Sequence, residues 1–140
     1  MEKLSQFITQ HPLLWLAFTG ILVLILINEF FAQRKKAKEL TPQDAIDKIN
    51  NDDAQVIDLR DKDSFNKSHI INSVQIRAED LHQPKMNKYK NKPLILVCVR
   101  GVQSSQAAEK LRSQGHETMV LSGGITAWQN AGLPLVKGKN

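Results

Sequence analysis

Hydrophobic and polar positions divide the chain into two regimes. From Leu13 to Ile27 the run LLWLAFTGILVLILI is apolar on every side; Pro12 opens it, and Asn28, Glu29, Phe30 and Phe31 follow. As a helix, the unbroken part would rise only ~22 Å. Extension to Phe31 gives ~28 Å, close to the ~30 Å hydrocarbon thickness of a bilayer. The pattern predicts a transmembrane helix over residues 12–32, preceded by a short polar segment, 1–11, with Glu2 balanced by Lys3. A buried core helix is the competing reading, but the rest of the chain already holds the elements of a complete small domain. A cleavable signal peptide is a second, but the run is long for one and no small-x-small cleavage site precedes the basic cluster that follows.

Past residue 40 the apolar runs become short and alternate with amphipathic stretches. Thr41-Pro42 reads as a helix start, with Thr as N-cap, Pro at the first helical position and Asp44 in the first turn. Ala45, Ile46 and Ile49 give that helix its buried stripe. Gln55–Leu59 predicts a buried strand, Asp61–Asn66 a helical turn or two packing Phe65, and Ser73–Ile76 a second strand. Arg77–Leu81 reads as a short helix, and Lys85, Lys88, Lys90 and Lys92 as a solvated face. Leu94–Val97 is an unbroken apolar run suited to a strand buried on both faces. A helix from Ser105 to Gly115 follows, then a strand over Thr118–Leu121, a turn at Ser122-Gly123-Gly124, and a short helix over Ile125–Asn130. Trp128 is expected in the core, and His82 and His116 at the surface. Strands alternating with helices imply an α/β domain with a small, mainly parallel β-sheet flanked by helices.

Charge refines this outline. The 140 residues hold 19 Lys+Arg against 14 Asp+Glu, a net charge of +5. Arg34, Lys35, Lys36 and Lys38 form the one tight basic cluster, in a linker over residues 33–40. Lys3 alone precedes the apolar run, so the positive-inside rule places the C-terminal domain in the cytoplasm. No basic stripe with interleaved aromatics follows, and no nucleic-acid partner is expected. Cys98 is the sole cysteine, which excludes an internal disulfide framework, CxxC redox pairs and Cys-rich zinc sites. It fits a reducing compartment. Neither a cofactor nor a metal is expected.

Candidate chemistry centres on that cysteine. Cys98 follows the Leu94–Val97 strand directly, in a loop that opens a helix, at the strand edge where open parallel sheets bind ligands. Val99, Arg100, Gly101, Val102, Gln103 and Ser104 complete the loop. Its free N–H groups are expected to form an anion cradle beside the sulfur and to favour a nucleophilic thiolate. Arg100 adds a cation, and Gly101 allows close backbone approach. A lone cysteine at a strand end is also compatible with a small buried hydrophobe; it is the company that points to reactivity. Asp58 and Arg60 are the next candidates, as supports of the loop or of a neighbouring turn. Arg60 either faces the site or pairs with Asp61 or Asp63.

Three stretches together resemble a single rhodanese (thiosulfate sulfurtransferase-like) domain. VIDLRDKDSFNKSHIINSVQI (Val56–Ile76) resembles the family's first signature, CVRGVQSS (Cys98–Ser105) its active-site loop, and LSGGITAWQNAGLPL (Leu121–Leu135) its closing signature. The family usually has Gly where Ser68 and Asn72 stand; both are turn positions, and Ser68 is the less comfortable of the two. The resemblance implies a rhodanese-like domain over residues 41–140 on a single-pass anchor in the bacterial inner membrane. It also implies sulfur transfer through a Cys98 persulfide, from a small donor such as thiosulfate to a thiol or protein acceptor. Arg100 would hold an anionic donor, and His69 would make a structural hydrogen bond. Membrane lipid contacts residues 12–32 in this reading, and inner-membrane proteins are further candidate partners. A cysteine phosphatase is disfavoured, because its C-x5-R loop requires Arg where Ser104 stands. A tethered binding module without physiological catalysis is the remaining alternative.

Overall fold

The computed structural model describes residues 1–138, which divide into two units, residues 1–34 and the remainder. In the first, residues expected to be merely polar form helix α1, Glu2–Gln10. Leu4, Phe7 and Ile8 recur at helical spacing along it and remain exposed. The helix stops at His11 (φ −130°, ψ 58°), because the residue before a proline is pushed out of the helical region. Helix α2 then runs Pro12–Lys35, three residues beyond the expected span. Its Pro12–Arg34 portion is long and apolar enough to cross a membrane, rising about 35 Å. The Arg34 guanidinium lies 4.4 Å from the centre of the Phe30 ring.

The second unit is an α/β domain around a five-stranded, wholly parallel sheet of order β1-β5-β4-β2-β3. The strands are β1 (Lys38–Leu40), β2 (Gln55–Asp58), β3 (Val74–Gln75), β4 (Leu94–Val97) and β5 (Thr118–Leu121). Strand β1 corrects the sequence reading, which left Lys38–Leu40 in a linker. Three residues with one apolar side chain carry no strand period; pairing with Met119–Leu121 is what makes them a strand. Helices α3 (Pro42–Asn51), α4 (Lys62–Lys67), α5 (Gln83–Met86), α6 (Val102–Ser113) and α7 (Gly124–Asn130) connect the strands or close the domain. The opaque stretch after β3 resolves into 3-10 turns at Ala78–Asp80 and Asn87–Tyr89 on either side of α5. Helix α6 begins three residues earlier than expected, so Val102, Gln103 and Ser104 form its first turn.

The unbroken apolar run of β4 has a direct cause. Its residues alternate between two cores, one on each face of the sheet. Leu94 and Leu96 join Ile57, Val120 and, from α6, Ala108 and Leu111. Ile95 and Val97 join Val56, Leu121, Ala45 of α3 and Trp128 of α7. Thr41 caps α3 as anticipated, accepting a hydrogen bond from the Asp44 amide. Ser68 is extended (φ −167°) and unstrained, contrary to expectation, whereas Asn72 is left-handed (φ 60°). Val136 exchanges backbone hydrogen bonds with His69 and so ties the C-terminal segment to the domain.

His82 is exposed, but His116, expected at the surface, is only 4% exposed and its Nδ1 has no partner among the described residues. It follows the α6 terminus at the turn into β5, where its amide bonds back to Leu111. Burial, and then the charge of Lys90, hold the imidazole below its ordinary pKa. The unfolded chain therefore binds a proton here more readily than the native one. This contribution to stability is complete above the free-histidine value of ~6.5 and is lost as pH falls through that range towards the native value. His116→Gln should flatten the drop in thermal midpoint between about pH 7.5 and about pH 5.5. An equally steep drop in the variant would contradict this.

Candidate active site

Cys98 leaves the carboxyl end of β4 with its side chain in the apolar cluster on the α6 side, and is 4% exposed. The chain then turns through Gly101, whose left-handed φ of 93° suits glycine, and enters α6. The turn brings two amides onto the sulfur: Gly101 N lies 3.0 Å and Ser104 N 3.4 Å from Cys98 Sγ. The thiol in turn points at Ser104 Oγ, 3.3 Å away, and that hydroxyl donates to the Gly101 carbonyl at 3.1 Å. Ser105 Oγ donates to the same carbonyl at 2.8 Å. Val102 and Gln103, in the first turn of α6, have no intrahelical acceptor for their amides.

The carbonyls of Cys98 and Val99 are drawn the other way. Ile125 N donates to Cys98 O (2.9 Å), and both N and Oγ1 of Thr126 donate to Val99 O (3.2 and 3.0 Å). Helix α7 can come this close only because Gly124 has no Cβ, and Gly123 before it leaves room for the first turn of the helix. A Cβ at Gly124 would strike the Cys98 carbonyl oxygen and lie 2.6 Å from that of Val99; one at Gly123 would lie 2.7 Å from Ala127 Cβ. Sequence reading treated Ser122-Gly123-Gly124 as a turn and missed its part in the site. Two adjacent glycines directly before a helix were the available signal. Gly124→Ala should cost roughly 3 kcal/mol, from left-handed strain plus overpacking, and also slow alkylation of Cys98 in folded protein. A variant with native melting behaviour and native thiol reactivity would refute this reading of the contact.

The expected loop residues therefore separate by role. Gly101 and Ser104 contact the sulfur, whereas Val99, Arg100 and Val102 form an exposed rim, with Val99 55% and Val102 71% exposed. Gln103 is exposed as well. Asp58 and Arg60 instead pair with each other. Arg60 Nε and its terminal nitrogen reach the Asp58 carboxylate at 3.0 and 2.7 Å, the Arg60 amide adds a bond at 3.0 Å, and the guanidinium also donates to Ser68 O at 2.6 Å. Their side chains are 1% and 8% exposed. Arg60 thus pairs with neither Asp61 nor Asp63, and neither Asp58 nor Arg60 hydrogen-bonds the Cys98 loop among the described residues. The pair braces the turn beside that loop, and Leu59 N, between the two, donates to Val97 O at 2.8 Å. His69 Nδ1 donates to Phe65 O at 2.8 Å, with the two rings stacked at 3.9 Å. No group of three or more His, Cys, Asp or Glu residues able to hold a metal occurs among the described residues.

A parallel α/β sheet with a cysteine loop at its carboxyl edge, braced by a D-x-R turn and a Gly-Gly helix start, defines a class of domain. Residues 41–131 match the Rhodanese-like domain family, and the chain belongs to it. It is 35% identical to an uncharacterized protein, YibN, of Escherichia coli K12, over 99% of this chain and all of that one. It is 32% identical to the thiosulfate sulfurtransferase GlpE of Shewanella oneidensis, over 67% of this chain and 94% of that enzyme. A rhodanese-related protein of Thermoplasma volcanium superposes with a TM-score of 0.65 at 25% identity, covering 71% of this chain and 97% of the other. The family is thus a sulfurtransferase-like one.

Proposed function

We propose that the protein is a membrane-anchored sulfurtransferase that carries sulfane sulfur on Cys98. The observation that supports this most is the sulfur held by the amides of Gly101 and Ser104 at the start of α6, with the carbonyls of Cys98 and Val99 turned away into α7. In the first step the Cys98 thiolate attacks the outer sulfur of a donor such as thiosulfate. The donor S–S bond breaks, sulfite leaves with the electron pair, and Cys98 becomes an anionic persulfide. The amides of Val102 and Gln103 then serve the outer sulfur as Gly101 and Ser104 serve the inner one, which is preorganised stabilisation of developing charge. Arg100, exposed on the rim, attracts the dianionic donor. Cys98 is the sole cysteine, so the acceptor is an external thiol or protein.

Full-length protein in detergent, treated with thiosulfate, should gain the mass of one sulfur atom and lose it on addition of a thiol. Cys98→Ser should gain none. A folded wild type that gains no sulfur would overturn the reading.

The exposed Val99 and Val102 beside Arg100 favour a second reading, a docking module for partner proteins. Such a role would survive Cys98→Ser, whereas sulfur carriage would not.

The anchor belongs to the same proposal. Helix α2 spans the inner membrane, and the cluster at Arg34, Lys35, Lys36 and Lys38, against Lys3 alone on the other side, retains the domain in the cytoplasm. A reporter fused after Asn140 should be active in the cytoplasm; activity in the periplasm would reverse the orientation.

A further inference from the structure

A basic groove opens on the same edge of the sheet as Cys98. Val97, Asp58 and Gln75 lie abreast in register. Cys98 and Ile76, the residues that follow β4 and β3, therefore end strands separated only by β2, roughly 10 Å apart at two inter-strand spacings. Both belong to one apolar cluster, with Val74 packed against it, so the sulfur and this strand end share one side of the sheet. There Val74–Arg77 borders a cavity of about 650 Å³, lined also by Lys62, Lys85 and Lys88 and by the carboxylates of Asp61 and Asp80. Small-molecule sites run ~300–1,000 Å³.

The cations outnumber the anions. Lys62, Arg77, Lys85 and Lys88 face two carboxylates, and the Asp61 carboxylate already accepts two hydrogen bonds from Ser64. Lys85 is 3.6 Å from Asp80, and Arg77 2.9 Å from Glu79 outside the lining. Lys62 and Lys88 pair with no carboxylate among the described residues; the Lys88 ammonium sits 4.9 Å from the Tyr89 ring centre. Lys85 and Lys88, read from sequence as a solvated face, thus share a concave site.

We infer that this groove is a carboxylate-binding subsite for the thiol that removes sulfur from Cys98, and that the acceptor is a small peptide thiol whose carboxylates are separated from its sulfur by a residue or so of backbone. The inference rests on the sulfurtransferase reading of Cys98. Thiosulfate cannot use the groove while reacting, because its charge adjoins the sulfur being transferred; a peptide thiol spans the gap. In the step itself the acceptor sulfur bonds to the outer sulfur of the persulfide and the bond to Cys98 Sγ breaks. The electron pair stays on Sγ as a thiolate, and the thiol proton passes to the departing persulfide.

The test uses the full chain in detergent, loaded with sulfur and discharged with glutathione or with its diethyl ester, which keeps the thiol but lacks the carboxylates. In the triple variant Arg77→Gln, Lys85→Gln, Lys88→Gln, the ratio of kcat/KM for glutathione to that for the ester should fall about tenfold, as expected for three partly exposed ion pairs. Added salt should lower the same ratio in the wild type. A ratio unchanged by the substitutions would overturn the inference. Unloaded protein titrated with S-methylglutathione gives a readout independent of sulfur transfer: NMR shifts at Ile76, Arg77 and Lys88 that the triple variant loses. Absence of these shifts in the wild type would refute the subsite, whereas failure to load sulfur would refute the reading of Cys98 beneath it.

Discussion

The arrangement around Cys98 depends on where two carbonyl groups point. A strand leading into a tight turn presents N–H and C=O groups alike, and a carbonyl oxygen directed at an anionic sulfur would repel it. Here the oxygens of Cys98 and Val99 are taken by Ile125 and Thr126 at the start of α7, so donors dominate on the sulfur side. That division requires backbone-to-backbone contact between two loops. Gly124, with no Cβ, is the residue that permits it. The loop after β4 and the loop after β5 are therefore one device, although more than twenty residues separate them.

The other flank is held by charge. Asp58 and Arg60 are nearly inaccessible to solvent, and such a pair compensates its desolvation only with good geometry and further hydrogen bonds. Both conditions hold: the contact is doubled, and the guanidinium also serves the Ser68 carbonyl. Removing one partner would leave a buried charge, which typically costs about 3–5 kcal/mol. The brace fixes the turn after β2, whose Leu59 amide bonds back to Val97, the residue before the cysteine. The Cys98 side chain is thus positioned from both sides, while Val99, Arg100 and Val102 of the same loop stay exposed.

All-parallel topology gathers the remaining chemistry. Every strand ends on the same edge, so the loops after β2, β3, β4 and β5 converge there. The modest basicity of the chain acquires a position this way. Lys62, Arg77, Lys85 and Lys88 come from separate stretches of sequence and meet beside β3. Their grouping is local and concave.

Much of this was legible in one dimension. The long apolar run, the β4 strand, the Thr41 cap, the Cys98 loop and the closing Gly-Gly turn each carry a local signal: hydrophobic period, side-chain capping, or the spacing of glycine and cysteine. Those depend on nearest neighbours and survive translation into sequence. What the sequence left open depends on partners far along the chain. Lys38–Leu40 is a strand only because β5 lies beside it. Arg60 chose Asp58 over Asp61 and Asp63 because burial rewards the doubled contact, and His116 is buried where the turn into β5 folds back on α6. Residue types and their order thus determined the elements and the family. Which backbone groups face the sulfur, and which cations share a cavity, was decided by long-range packing, because hydrogen-bond direction and concavity are properties of surfaces brought together, not of any one segment.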